Sequence, residues 1–193
     1  MSENNIKTFY PTNREEWRLW LKTNHSSLKS VWVIFYKKNS KSSTISWSEA
    51  VDEALCFGWI DSVKKSIDSE KYIQLFSQRK PQSTWSKINK NKIKQLIENG
   101  LMTQAGFKSI EVAKQNGCWT ILDKVEDLII PNDLEEAFKK QEGSKDYFNK
   151  LSNSTKKAML QWLVLAKRAE TRKKRIAEIS ELAGKSQKPN QFR

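Results

Sequence analysis

Apolar residues recur at two periods along this chain, and the changes of period mark its expected elements. Trp17, Trp20 and Leu21 follow Asn13 at the i, i+3, i+4 spacing of one helical stripe, so a capped, core-facing helix is expected through Asn24. Ser30 to Lys38 is β-branched and aromatic on both alternating sides, the pattern of a strand buried on two faces and central in its sheet. Ser46 and Glu49 then form an S-x-x-E box ahead of Trp47, Ala50, Val51, Ala54 and Leu55. That helix should stop at Gly58, which can take a left-handed conformation.

The stretch from Glu49 to Asn89 is the organising segment. Two strand-like runs, 59–67 and 72–79, flank Asp68-Ser69-Glu70 and should pair as a hairpin, giving a sheet of at least three strands with 30–38. Pro81 stops the second run, and a basic helix is expected from Trp85 to Asn99. Thr103 caps another, ending near Asn116-Gly117. Beyond Pro131 only short helical patterns remain, at 134–141, 145–151, 155–168 and 172–183. The fold class is therefore α+β: a small mixed sheet packed with helices, followed by an all-helical C-terminal part. The expected organisation is a loose N-terminus (1–12), an α+β core (13–117), a connector (118–132), a helical subdomain (133–184) and a disordered tail (185–193).

Composition narrows the function classes. Of 193 residues, 37% are hydrophobic and 30% charged, and no apolar run is long enough to cross a bilayer, so a cytoplasmic protein is expected. Cys56 and Cys118 lack metal or redox spacing and read as free thiols. The single histidine, His25, lies in a polar turn at a helix end, which leaves no basis for histidine metal sites or serine triads. No cofactor or metal is expected. The formal charge of +13 favours polyanions or an anionic ligand. Residues 141–193 hold 13 basic and five acidic side chains, a surplus of eight, so the C-terminal part is the more basic.

The run Glu53-Ala54-Leu55-Cys56-Phe57-Gly58-Trp59-Ile60-Asp61-Ser62, followed by F-x-x-RK-P-x-S-x-WS-x-x-N at 76–89, resembles the bacterial YdeI/OmpD-associated, or bacteriocin-protection-like, family. The resemblance continues at Gly100, Met102, Thr103, Gly106, Asn116-Gly117 and Trp119, and again at Trp162, Ala166-Lys167-Arg168, Glu170, Thr171-Arg172 and Arg175-Ile176. It implies an α+β domain with a helical C-terminal part and names linked to envelope stress and to antimicrobial-peptide or bacteriocin tolerance; it implies no known reaction. The family pattern F-x-P-R-K is broken here, where Gln78 stands before Arg79-Lys80. Loss of that proline implies a looser strand end.

The residues chosen as a ligand site are Trp59, Asp61, Arg79, Lys80, Trp85, Ser86 and Asn89. A hairpin brings the start of one strand beside the end of the other, so Arg79 can offer a planar fork of donors, Asp61 an acceptor and the indoles flat walls for a polar or anionic ligand. The competing reading is a structural Asp61–Arg79 ion pair with the tryptophans as core. Register separates the two, with Asp61 facing either Gln78 or, after a one-residue slip, Ser77. Glu49, Asp52 and Glu53 read as a solvated acidic face. A second set, Lys167, Arg168, Arg172, Lys173, Lys174 and Arg175, places cations in what is expected to be a first helical turn, against the helix dipole, and so points to an acidic partner, a phosphate-bearing ligand or a negatively charged membrane surface. With the lysines of the 85–99 helix it offers a face to a nucleic acid or other polyanion. The favoured function is a non-enzymatic binding protein. The alternatives are a polyanion binder and a small-molecule enzyme using Asp61 as base.

Overall fold

The computed structural model describes residues 6–42 and 44–192; expectations for residues 1–5, Ser43 and Arg193 fall outside it. Four strands form one mixed sheet in the order β1-β2-β4-β3, where β1 is Thr8–Phe9, β2 Ser30–Tyr36, β3 Trp59–Ser66 and β4 Lys71–Gln78. Strand β2 is interior, as its two-sided apolar pattern requires. Thr8 and Phe9, within the N-terminal segment expected to be loose, are tied to the sheet and to the helix that follows. Thr8 and Phe9 pair in parallel with Trp32 and Val33, and Phe9 stacks on Trp17 and Trp20.

Helix α1 (Arg14–Asn24) begins at Asn13, whose side chain accepts from Glu16 N–H, and α2 (Trp47–Cys56) begins in a full capping box between Ser46 and Glu49. Gly58 follows α2 at φ +73°. Paired residues across the sheet set its faces. Val31, Val33 and Phe35 lie opposite Phe76, Gln74 and Tyr72, and Trp17 of α1 meets Phe76 edge-on, so this side is the one α1 covers.

Contacts divide the chain into two compact units. The first comprises residues up to Thr84 with Ile88–Trp119, and therefore the sheet, α1, α2, α4 (Gln104–Gln115) and nearly all of α3 (Lys87–Glu98). The second comprises Trp85–Lys87 and the chain from Thr120 onward. Residues 120–132 are thus no free connector, since Leu122 and Val125, at and within the short α5 (Asp123–Glu126), enter its core. That core also takes Leu134 and Phe138 from α6 (Asn132–Lys139), Phe148 from α7 (Ser144–Lys150), Met159, Leu160 and Leu163 from α8 (Asn153–Val164), and Ile176, Ile179 and Ala183 from α9 (Ala169–Gly184). The expected disordered tail is ordered through Phe192. A 3₁₀ turn at Asn190–Phe192 sets the Phe192 ring edge-on to Trp162 at 5.7 Å.

Among the described residues, no helix is long and apolar enough to cross a membrane, and no group of three or more metal-ligand side chains assembles.

Candidate functional site

The hairpin register differs from both alternatives drawn from the sequence. Trp59 lies opposite Gln78 and Asp61 opposite Phe76, while Lys64 lies opposite Gln74 and Ser66 opposite Tyr72. Between Asp61 and Lys64, Ser62 and Val63 occupy the space that Leu75 alone fills on β4: a β-bulge. In a regular strand residues 61 and 64 would point to opposite faces. The extra residue returns Lys64 to the face of Asp61, with Tyr72 and Gln74 beside them.

These side chains, with Trp47 at the start of α2, line an open hollow of about 390 Å³. The Asp61 carboxylate accepts from the Trp47 indole N–H at 3.0 Å and from the Gln74 amide at 3.2 Å. Gln74 is only 4% exposed, and its amide also donates to the Ser62 carbonyl at 2.9 Å, so the floor is fixed from two sides. Trp47 is 46% exposed and forms a wall open to solvent. The Lys64 ammonium sits over the Tyr72 ring, 3.9 Å from its centroid. The hollow thus combines one anchored carboxylate, two aromatic surfaces and a cation.

The other residues of the expected site lie elsewhere. Trp59 is fully buried, donates its indole N–H to the His25 carbonyl and meets Trp20 edge-on, which makes it core in the first unit. Arg79 runs on from β4 beside Gly58, whose carbonyl accepts its backbone N–H at 2.9 Å. Its guanidinium donates to the Thr84 carbonyl at 3.1 Å. Burial pushes the guanidinium pKa down to about 10, with the Asp61 carboxylate opposing that shift. Lys80 is exposed, and its backbone N–H donates to Ser83 Oγ in a short turn. Asn89 is half-buried on α3. Trp85 and Ser86 belong to the second unit, where Trp85 is 1% exposed.

Gln78 corrects the expectation of a loose strand end. Its backbone N–H donates to the Lys29 carbonyl at 3.0 Å, a bond proline cannot make, and its side-chain amide donates to the carbonyls of His25 and Leu28.

In the second unit, α9 starts at Ala169, so Arg172 to Arg175 stand later than the first-turn position inferred from sequence. Two of these cations have structural partners. Arg172 donates to both Asp133 oxygens, at 2.7 and 2.9 Å, and to the Leu163 carbonyl. Arg175 donates to the Trp162 carbonyl and stacks its guanidinium 4.6 Å from the Trp162 ring centroid. Lys174 pairs with Glu170 at the surface, while Lys167, Arg168 and Lys173 are exposed. Arg172 and Lys173 also line a groove between α6 and α9 of about 530 Å³, together with Lys140 and the carboxylates of Asp133, Glu136 and Glu181.

The Asp133 carboxyl is held below its ordinary value of 3.8, chiefly by the hydrogen bonds from Arg172. A lowered carboxyl pKa contributes stability that is complete above the ordinary value and lost as pH falls through the folded one. Asp133→Asn is therefore expected to flatten the acid limb of the second unit's stability. Urea midpoints measured between about pH 2 and 6 should show a difference of under about 1 kcal/mol at the upper end, because Asp133 is about half exposed.

Trp47, Lys64, Tyr72 and Gln74 were not among the residues chosen from sequence. Gln74 carried the readable signal: a polar side chain between Tyr72 and Phe76, on the alternation that faces the core.

Comparison with known families divides the chain much as its contacts do. Residues 9–109 match the model of a domain of unknown function (DUF8412), and residues 127–185 match the model described as "Bacteriocin-protection, YdeI or OmpD-Associated". The Trp162 to Ile176 motif falls in the second match, whereas the motifs at 53–89 fall in the first. No curated protein and no solved structure matches the chain.

Proposed function

The chain belongs to the DUF8412 family and carries a bacteriocin-protection, YdeI or OmpD-associated segment behind that domain, and on this premise we propose that it is a cytoplasmic, non-catalytic binding protein acting in tolerance to antimicrobial peptides, bacteriocins or related stress. Its ligand is a small polar molecule with an N–H or O–H donor, seated in the hollow around Asp61. The observation that carries this reading is the anchored carboxylate: Trp47 and Gln74 both donate to one oxygen of Asp61 in an open, aromatic-walled recess. A preset acceptor beside flat apolar surfaces orients a ligand while its own hydrogen bonds stay in place. The anionic ligand expected from sequence is less well supported, because the carboxylate lines the hollow while the Arg79 guanidinium is largely buried and bonded to Thr84.

The test is a panel of small amides, ureas, amines and carboxylates, read by the NMR signal of the Trp47 indole N–H. Donor-bearing members are expected to shift that signal in the wild type and to lose the effect in Asp61→Ala. Shifts that survive in Asp61→Ala would remove the carboxylate from the account.

A second reading, contact with nucleic acid or another polyanion, is supported by the exposed Lys167, Arg168 and Lys173 beside Lys174, which pairs with an exposed glutamate on the same helix. Changing all four to glutamine should lower the salt needed to elute the protein from heparin. Unchanged elution would place the attraction elsewhere.

A further inference from the structure

We propose that the Asp61 hollow is a seat for an organic cation, an ammonium or guanidinium group, and that Lys64 fills it as a built-in competitor when no ligand is bound. This rests on the reading of the hollow as a ligand site and names the class of ligand. A carboxylate flanked by a tyrosine face and an indole is the arrangement that stabilises a desolvated cation, through charge on one side and ring quadrupoles on the other. The chain supplies such a cation itself: the Lys64 ammonium lies 3.9 Å from the Tyr72 centroid, within the lining that includes Asp61.

The placement depends on the bulge. Without the extra residue between Asp61 and Lys64, lysine would project from the opposite face of β3, as its neighbour Lys65 does over Trp32. Lys64 lies on an edge strand with an exposed side chain, so it can swing out to solvent while Asp61, Trp47 and Gln74 keep their hydrogen bonds. A ligand cation then replaces one ammonium with another. The formal charge of the seat itself is then unchanged.

The experiment uses methylguanidinium and its uncharged counterpart of similar shape, methylurea, with the full chain and the Trp47 indole N–H signal as readout. Methylguanidinium is expected to bind the wild type more tightly than methylurea. Lys64→Met, which keeps the stem and removes the competitor, should tighten methylguanidinium binding by about three- to fivefold. Lys65→Met removes the same charge from the opposite face and should change it much less. Asp61→Asn keeps an acceptor but no charge, so it should abolish the preference for the cation. Equal binding of the two probes, or preference for methylurea, overturns the cation assignment and leaves a polar-ligand hollow standing. Failure of both probes to move the signal counts against the hollow as a site at all. Lys64→Met and Lys65→Met giving the same gain would show a general charge effect and overturn the role of Lys64.

Discussion

Glu53→Ala is expected to destabilise the first unit by about 3 kcal/mol, the low end for breaking a buried ion cluster by removing one member. Glu53 is 1% exposed. Arg14 Nε and Arg18 Nη1 each reach one of its oxygens at 2.5 Å, and Arg18 also donates to the Leu101 carbonyl and lies over the Phe57 ring. Removing the carboxylate leaves two partly desolvated guanidinium groups facing a space that carried negative charge. The arginines are each about one third exposed, so water can relieve part of this, which is why the low end applies. A triple change, Arg14→Met, Arg18→Met and Glu53→Leu, should recover much of the loss, because apolar replacement of a whole buried ion cluster is close to neutral. Urea unfolding of both variants checks the pair. A loss under about 1 kcal/mol in Glu53→Ala would mean that the cluster is effectively solvated.

Gly106→Ala should cost a comparable amount by a different route. A Cβ on Gly106 would sit 2.4 Å from the Cys56 carbonyl oxygen and 2.6 Å from Met102 Cε. The methionine end can move; the backbone carbonyl at the end of α2 cannot do so cheaply. It accepts from both the backbone N–H and the hydroxyl of Thr103, the residue that caps α4 through Gly106 N–H. Adding one methyl therefore pries the end of α2 from the start of α4 and breaks bonds already made there. The expected loss is about 3 kcal/mol, the upper part of the usual range for overpacking. Thr103→Ala, which removes the hydroxyl without adding bulk, should cost only about 1 kcal/mol. Thermal or urea midpoints of the two variants give the order. Gly106→Ala equal to or milder than Thr103→Ala would show that α4 can shift away freely.

The same residues show what the sequence could and could not convey. The capping box at Ser46 and Glu49, the Asn13 and Thr103 caps and the left-handed Gly58 all act within a few residues, and local pattern sufficed to find them. The α+β class followed from the two-sided apolar pattern of β2 and the change to helical period after Pro131. Glu53 was misread as solvated because its partners come from α1, 35 and 39 residues earlier, and no local spacing encodes them. Asp61 is a candidate in the sequence as well as in the hollow, but the sequence does not show its neighbours there. Which side chains share its face depends on one surplus residue in β3, and the stretch from Trp59 to Ser66 carries neither glycine nor proline to announce the bulge. Arg79 reads from sequence as a fork of donors open to a ligand, whereas its guanidinium is largely buried and bonded to Thr84, a property of the folded chain.

The most direct measurement is a crystal of the protein soaked in methylguanidinium. The account predicts planar density between Trp47 and Tyr72, its N–H groups ~3 Å from the Asp61 carboxylate, with Lys64 displaced from the Tyr72 ring. An empty hollow with Lys64 still on Tyr72, or density bound only at other acidic side chains, would contradict it.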